Sequence, residues 1–154
     1  MHKNSLVALL CALVLGACAT LEPVKIIKLE ERKNPPVTVS GNTIQVPEIL
    51  YFLPDEKNIQ VMWHLPEGQG LMFPENGIQI DGALTDKILR DDRGNVAVVL
   101  DRNQTEIQCD KQRGGTTFTC TNRNSKPGIY KYTVRVLRNG ELLPPRDPAM
   151  MNMP

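Results

Sequence analysis

Two cysteines placed symmetrically about a pair of glycines constrain this chain more than any other feature. Cys109 lies five residues before Gly114, and Cys120 lies five residues after Gly115. If Gly114-Gly115 forms a two-residue turn, the two cysteines face each other directly on a hairpin, with their Cα atoms within bridging distance. The spacing therefore predicts a Cys109–Cys120 disulfide that closes a β-hairpin.

Alternating segments predict strands along most of the chain. Residues 59–65 alternate apolar and polar side chains, with Trp63 on the apolar face, as in a half-buried strand. Residues 128–137 form the longest predicted strand, and Thr85–Arg90 is predicted as a single helical turn. The pattern predicts an all-β chain folded as an antiparallel sandwich of about seven to nine short strands, with a small β-barrel as the alternative.

Two dipeptides predict the register of further hairpins. Gly41-Asn42 separates two short alternating segments, and Asn139-Gly140 follows the longest predicted strand. Asn-Gly and related glycine pairs favour two-residue hairpin turns, which fix the residues that face each other. The predicted facing pairs are Val39 with Ile44 and Leu137 with Leu142.

The first seventeen residues have the pattern of a secretory leader. Lys3 precedes an unbroken run of apolar and small residues from Leu6 to Ala17. A helix of about twelve residues spans about 18 Å, whereas a bilayer core of about 30 Å needs about twenty residues. Residues 1–17 are therefore predicted to be a signal peptide, not a permanent membrane span. Secretion also supplies the oxidising conditions in which a disulfide persists.

The leader ends in Leu15-Gly16-Ala17-Cys18, and in this feature the chain resembles bacterial lipoprotein precursors. In that family a Leu-small-small-Cys lipobox directs diacylglyceryl transfer to the thiol, and a peptidase cuts before the cysteine. The resemblance implies that Cys18 is acylated, becomes the first mature residue and anchors the chain to a membrane. Ala19 in place of aspartate resembles outer-membrane sorting, which implies an anchor on the periplasmic side of the outer membrane.

Four regions are predicted: a signal peptide (1–17), a lipidated cysteine with a tether (18–36), a β-sandwich domain (37–143) and an extended C-terminal tail (144–154). The tether could extend about 60 Å, although a short helix or an edge strand within it is an alternative. The tail carries four prolines and several apolar residues. It either docks on a partner or covers an edge of the domain's own sheet, and the sequence leaves both open.

The predicted domain resembles the immunoglobulin-like sandwiches of bacterial envelope proteins. Trp63 in an alternating strand and the segment Gly128-Ile-Tyr130-Lys-Tyr132 carry the resemblance. In such sandwiches a tyrosine near the start of a late strand forms a corner contact, a role that the resemblance gives to Tyr130 or Tyr132. The disulfide departs from the pattern, because it closes a local hairpin instead of joining the two sheets.

The charge distribution divides the mature chain into two parts. Residues 19–110 hold nine basic and fifteen acidic side chains, whereas residues 111–154 hold eight basic and two acidic ones. Either the two parts face each other within one domain, or a basic face binds lipid phosphates, an acidic polymer or an acidic partner. No nucleic-acid motif accompanies these charges. The candidate basic surface comprises Lys111, Arg113, Arg123, Lys126, Lys131, Arg135 and Arg138.

Catalytic signatures are missing from the sequence. The mature chain has one histidine, His64, and two serines, Ser40 and Ser125, without the spacing of a nucleophile elbow or a zinc protease. Its methionines could serve as soft ligands for Cu(I), but packing explains them better. We therefore expect no enzyme activity, no metal and no cofactor.

The expected function is protein binding or scaffolding by a lipid-anchored protein at the periplasmic face of the outer membrane, with an envelope protein as the partner. One alternative is a periplasmic inhibitor of a hydrolase such as lysozyme, since several such inhibitors are lipoproteins with compact, disulfide-bearing β-domains. Another is an accessory lipoprotein of a secretion system, which would use the tether, the small domain and the extended ends.

Overall fold

The computed structural model describes residues 28–90, 92–94, 96–110 and 115–154, and most of these residues lie in β-strands. The described part contains one helix, α1, Leu29–Lys33. Its thirteen strands are β1 Thr38–Ser40, β2 Thr43–Gln45, β3 Ile49–Phe52, β4 Ile59–His64, β5 Leu71–Met72, β6 Ile78–Arg90, β7 Val96–Asp101, β8 Ile107–Cys109, β9 Thr117–Asn122, β10 Gly128–Val134, β11 Leu137–Arg138, β12 Glu141–Leu142 and β13 Ala149–Asn152.

The described strands form four open sheets and do not close into a barrel. Their orders are β1-β2, β3-β13-β10-β6-β7, β12-β11-β5 and β4-β9-β8. Neighbouring strands run antiparallel, except that β13 runs parallel to β3. The order β4-β9-β8 matches strands B-E-D of an immunoglobulin-like sandwich, and β13-β10-β6-β7 matches G-F-C-C′. The predicted all-β sandwich is therefore confirmed, with more short strands than the seven to nine expected.

The core lies between the five-stranded sheet and the β4-β9-β8 sheet, and alternating side chains of their strands build it. Strand β4 buries every second side chain, among them Trp63, and Tyr132 of β10 is fully buried opposite it. The ring centroids of Trp63 and Tyr132 are 5.7 Å apart, and those of Phe73 and Phe118 are 5.8 Å apart. Tilted and edge-on aromatic pairs of this kind add to the stabilisation that burial gives.

The predicted disulfide and hairpin registers are confirmed. Cys109 of β8 pairs directly with Cys120 of β9, and their sulfur atoms are 2.05 Å apart. Gly115 bridges to Phe73, while the rest of the predicted turn, including Gly114, lies outside the described residues. The other predicted facing pairs, Val39 with Ile44 and Leu137 with Leu142, are also present.

The helical turn predicted for Thr85–Arg90 is wrong. These residues belong to β6, which has thirteen residues and is the longest described strand, whereas β10 has seven. Ile88 pairs with Val98 and Leu89 pairs with Ala97, so cross-strand pairing with β7 decides the conformation. A register irregularity between Leu84 and Ile88 interrupts the alternation that normally marks a strand.

Both ends of the described chain pack onto the sandwich. Helix α1 lies in the segment predicted as a tether, and its Arg32 is buried. Strand β13 lies in the predicted tail and pairs on both sides, with β10 and with β3. Of the two alternatives for the tail, the structure shows the one in which the tail pairs with the domain's own sheet. The predicted signal peptide and Cys18 lie outside the described residues.

Candidate functional site: an exposed apolar arm

Strand β6 extends well past its neighbour in the five-stranded sheet. Strand β10 pairs with β6 only from Ile78 to Ala83. Beyond Ala83, β6 pairs with β7 alone. We call this two-stranded extension, residues 84–90 and 96–100, the β6–β7 arm.

The arm exposes large apolar side chains. Ile88 is 63% exposed, Leu89 61%, Val96 56% and Val98 50%. Ile88 faces Val98 across the two strands, and alternation places Val96 on the same face as Val98. Single exposed apolar residues are normal on protein surfaces, but a contiguous patch is typical of a surface that binds a partner.

Two irregularities hold the arm in place where it leaves the sheet. Thr85 Oγ1 donates a hydrogen bond to the carbonyl oxygen of Val99 at 2.8 Å, and accepts one from the Lys87 amide at 3.2 Å. Gly82 has a φ of +150°, and a Cβ atom there would lie 2.8 Å from the carbonyl oxygen of Asp101. Only glycine therefore allows β7 to approach β6 this closely.

The outer side of the arm is an open sheet edge. Strand β7 is the last strand of the five-stranded sheet, so one side of its backbone has no neighbouring strand among those described. Residues 96–100 carry neither a charge nor a proline, the usual protection of an exposed edge. An unprotected edge of this composition can add a strand from another chain.

The structure spreads the described residues of the predicted basic surface over several elements. Arg123 and Lys126 are exposed in the connection between β9 and β10. Lys131 donates to the Asp147 carbonyl, Arg135 to the Asn76 carbonyl at 3.3 Å and Arg138 to the Gly41 carbonyl at 2.7 Å. These three side chains thus support the fold as well as contributing charge. Lys111 and Arg113 lie outside the described residues, so the basic surface stays a prediction.

Acidic side chains form hydrogen bonds with hydroxyl groups at two places in the structure. The Thr133 hydroxyl lies 2.8 Å from Asp81 Oδ2 and 3.0 Å from Asp147 Oδ1. Ser125 donates to buried Glu106 through its backbone amide at 2.8 Å and through its hydroxyl at 2.8 Å. Burial raises the pKa of Glu106, but the bonds from Ser125 and the charge of Lys126 outweigh this effect and lower that pKa overall.

His64 takes part in neither of these two hydrogen-bonded groups. His64 is exposed, and its Nδ1 lies 3.3 Å from the Thr117 hydroxyl. Within the described residues, no three His, Cys, Asp or Glu side chains come together in a way that could hold a metal. The Glu106 carboxylate accepts bonds that close a loop, which is a structural role.

A second feature of interest is the attachment of α1 to the sandwich. Arg32 donates to Glu56 through two nitrogens, at 2.8 and 2.9 Å, and to the Tyr51 carbonyl at 2.5 Å. Its guanidinium carbon lies 4.4 Å from the centroid of the Tyr51 ring. Lys33, one residue further on, forms only an exposed pair with Glu30 at 3.1 Å. We call the Arg32 contacts the α1 clamp.

The sequence signals for these two features were only partial. The uncharged run from Val96 to Leu100 predicts a short strand but does not indicate that its side chains are exposed. Neither Arg32 nor Glu56 carries a local signal, because the two residues meet only through the fold.

The described part of the chain contains no helix long and apolar enough to cross a membrane. No model of a known protein family matches the chain, and no curated protein matches it significantly. The functional argument therefore depends on the residues and contacts described above.

Proposed function

We propose that this chain is a lipid-anchored binding or scaffolding protein that contacts an envelope protein through the β6–β7 arm. The exposure of Ile88, Leu89, Val96 and Val98 on one hairpin with an open edge is the observation that carries the proposal. Complete burial of such a side chain on a partner contributes at most about 1.5–3 kcal/mol to the binding free energy. A rigid sandwich that presents an apolar hairpin suits binding better than catalysis, and the sequence carries no catalytic signature.

The membrane anchor in this proposal is a lipid on Cys18. The lipobox at residues 15–18 and the short apolar leader support it. With two or three acyl chains the protein is held firmly at the bilayer, on the periplasmic side of the outer membrane. The domain then meets its partner near the membrane surface.

Metabolic labelling with palmitate tests the anchor. Cys18→Ala is expected to abolish labelling, whereas Cys11→Ala is expected to leave it intact because residue 11 lies within the predicted leader. Fractionation of the cells should then place the parent protein, and not Cys18→Ala, in the outer membrane. Undiminished labelling of Cys18→Ala contradicts the anchor.

Photo-crosslinking in the intact envelope tests the arm. A photoreactive amino acid at position 98 is expected to form discrete crosslinked products with a protein partner. The control position is Leu142, which is 59% exposed but lies on β12, in another sheet. If both positions give the same products, or if position 98 gives none, the arm is not the binding surface. Capture of a hydrolase would instead support the inhibitor alternative.

A further inference from the structure

We infer that the partner at the free edge of β7 is a second copy of this chain, paired antiparallel through its own β7 with Val98 facing Val98. This inference depends on the proposed function, since it names the partner of the same arm. It follows from the composition of residues 96–100 of β7, an uncharged run in which apolar residues face apolar residues when it pairs with itself about Val98.

The register follows from the composition of the strand. A twofold axis at Val98 places Val96 opposite Leu100 and Ala97 opposite Val99 of the second copy. All five residues of the uncharged run are then matched with apolar residues. Moving the twofold axis by one residue, from Val98 to Ala97, would place Leu100 opposite Gly94 and lose this match, and register is specified by such patterns.

The same register continues the exposed apolar face across the two molecules. Val96, Val98 and Leu100 alternate onto one side of β7, where Ile88 faces Val98 and Leu84 faces Leu100. A twofold axis perpendicular to the sheet keeps this side common to both copies. Side chains that are half exposed or more in one copy, such as Ile88 and Val98, then share one continuous apolar surface.

The charges of the arm favour a protein partner over a lipid surface. The arm and its tip mix both signs, with Asp86, Lys87, Arg90 and Asp92 close together in sequence, whereas an anionic bilayer attracts segments that are predominantly basic.

The expected affinity is low in solution and higher on a membrane. A single short edge buries less than the roughly 1,200–2,000 Å² of a stable protein interface, so we expect a weak, reversible dimer. Anchoring two copies to one bilayer raises their effective concentration and favours pairing without any new contact.

Sedimentation of the full chain in detergent, over a concentration series that reaches the millimolar range, tests the pairing. The parent chain is expected to dimerise reversibly. Val98→Lys and Val98→Asp, each alone, should weaken the dimer about tenfold or more, because each substitution places like charges opposite each other. Leu142→Lys is the matched control and should dimerise as the parent does. Equal circular dichroism spectra establish that the variants are folded.

Mixing the two charged variants tests the register itself. Only if residue 98 faces residue 98 should Val98→Lys and Val98→Asp together form a heterodimer that neither forms alone. In the same way Val98→Cys should give a disulfide-linked dimer, whereas Ala97→Cys should not exceed the background of the parent chain, because its partner position is 99.

A parent chain that stays monomeric at all concentrations overturns the self-pairing, as does a mixture that fails to restore association. In either case, discrete crosslinks from position 98 to a different protein still support the proposed binding function. Loss of every crosslink from position 98 contradicts that function as well.

Discussion

A buried arginine joins the N-terminal helix to the sandwich. Arg32 is 4% exposed, and its guanidinium forms two bonds with Glu56 while it lies over the Tyr51 ring. Glu56 also accepts a bond from the Leu53 amide at 2.7 Å, so both charges are satisfied. A planar guanidinium suits this combination of bidentate bonding and aromatic stacking, which lysine cannot reproduce.

Removal of the arginine charge should therefore be costly. We expect Arg32→Met to lower the free energy of unfolding by about 2–3 kcal/mol, because the partly buried Glu56 loses its counter-charge. The matched control is Lys33→Met on the same helix, whose exposed pair should contribute less than about 1 kcal/mol. Urea denaturation measures both variants. Equal losses would contradict the α1 clamp.

Glu106 should make stability depend on pH in the acid range. Its pKa is lowered below the ordinary 4.5, so folding favours the ionised carboxylate. The resulting stabilisation is fully present above the ordinary pKa and is lost as the pH falls through the folded-state pKa. The difference in unfolding free energy between the parent chain and Glu106→Gln should thus be largest near neutral pH and shrink on acidification.

Urea denaturation at several pH values checks this expectation. Ser125→Ala provides the companion variant, since it removes the hydroxyl bond but keeps the backbone bond to Glu106. It should reduce the pH-dependent part of the stability without abolishing it. If the difference in unfolding free energy between the parent chain and Glu106→Gln stays constant with pH, the ionised carboxylate is not the source of that difference.

At the scale of elements, Gly82 controls the approach of β7 to β6. An alanine Cβ would lie 2.8 Å from the Asp101 carbonyl oxygen and 3.0 Å from Leu100 Cβ, at a φ of +150°. We expect Gly82→Ala to cost about 1–3 kcal/mol, because backbone and not a flexible side chain must move. Gly115→Ala is the control, since the nearest atom there is 4.0 Å away. Thermal unfolding of both variants measures the difference, and equal melting temperatures would count against the contact.

Elements whose register is set by a local turn could be predicted from the sequence. The facing pair Cys109 and Cys120 follows from symmetry about a glycine turn, and the hairpin at Asn139-Gly140 follows from its dipeptide. The segment Thr85–Arg90 could not be predicted as a strand. Its pairing with β7 is irregular between Leu84 and Ile88, where the residues are polar, so the sequence does not alternate apolar and polar residues there. Distant pairing, not local pattern, makes it a strand.

At the scale of the whole molecule, the C-terminal strand completes the larger sheet. Met150 of β13 is fully buried between β3 and β10. We expect Met150→Ala to lower the free energy of unfolding by about 2–5 kcal/mol, as truncations in a packed core do. Met72→Ala on β5, where the side chain is 41% exposed, should cost much less. Urea denaturation compares the two, and a small effect of Met150→Ala would mean that β13 does not dock internally.

Long-range features account for what the sequence did not predict. Ile49 pairs with Ala149 across nearly the whole domain, and the short segment Ala149–Asn152 shows no alternation that would reveal it. Val98 is exposed in the part of β7 that extends past the end of the β10–β6 pairing at Ala83. An uncharged run is typical of a buried strand, so residues 96–100 of the arm could be predicted as a strand but not as an exposed surface.

The α1 clamp also limits how far the domain can move from its proposed lipid anchor. With the lipid on Cys18 as proposed, only nine residues, spanned by ten Cα-to-Cα steps, lie between the anchored residue and Lys28, where the described packing begins. Fully extended, they span about 35 Å at most, compared with about 60 Å for the whole segment up to Pro36. The volume that the domain can search above the bilayer falls roughly fivefold. Each anchored copy is thus confined to a thin layer in which encounters between neighbours are frequent.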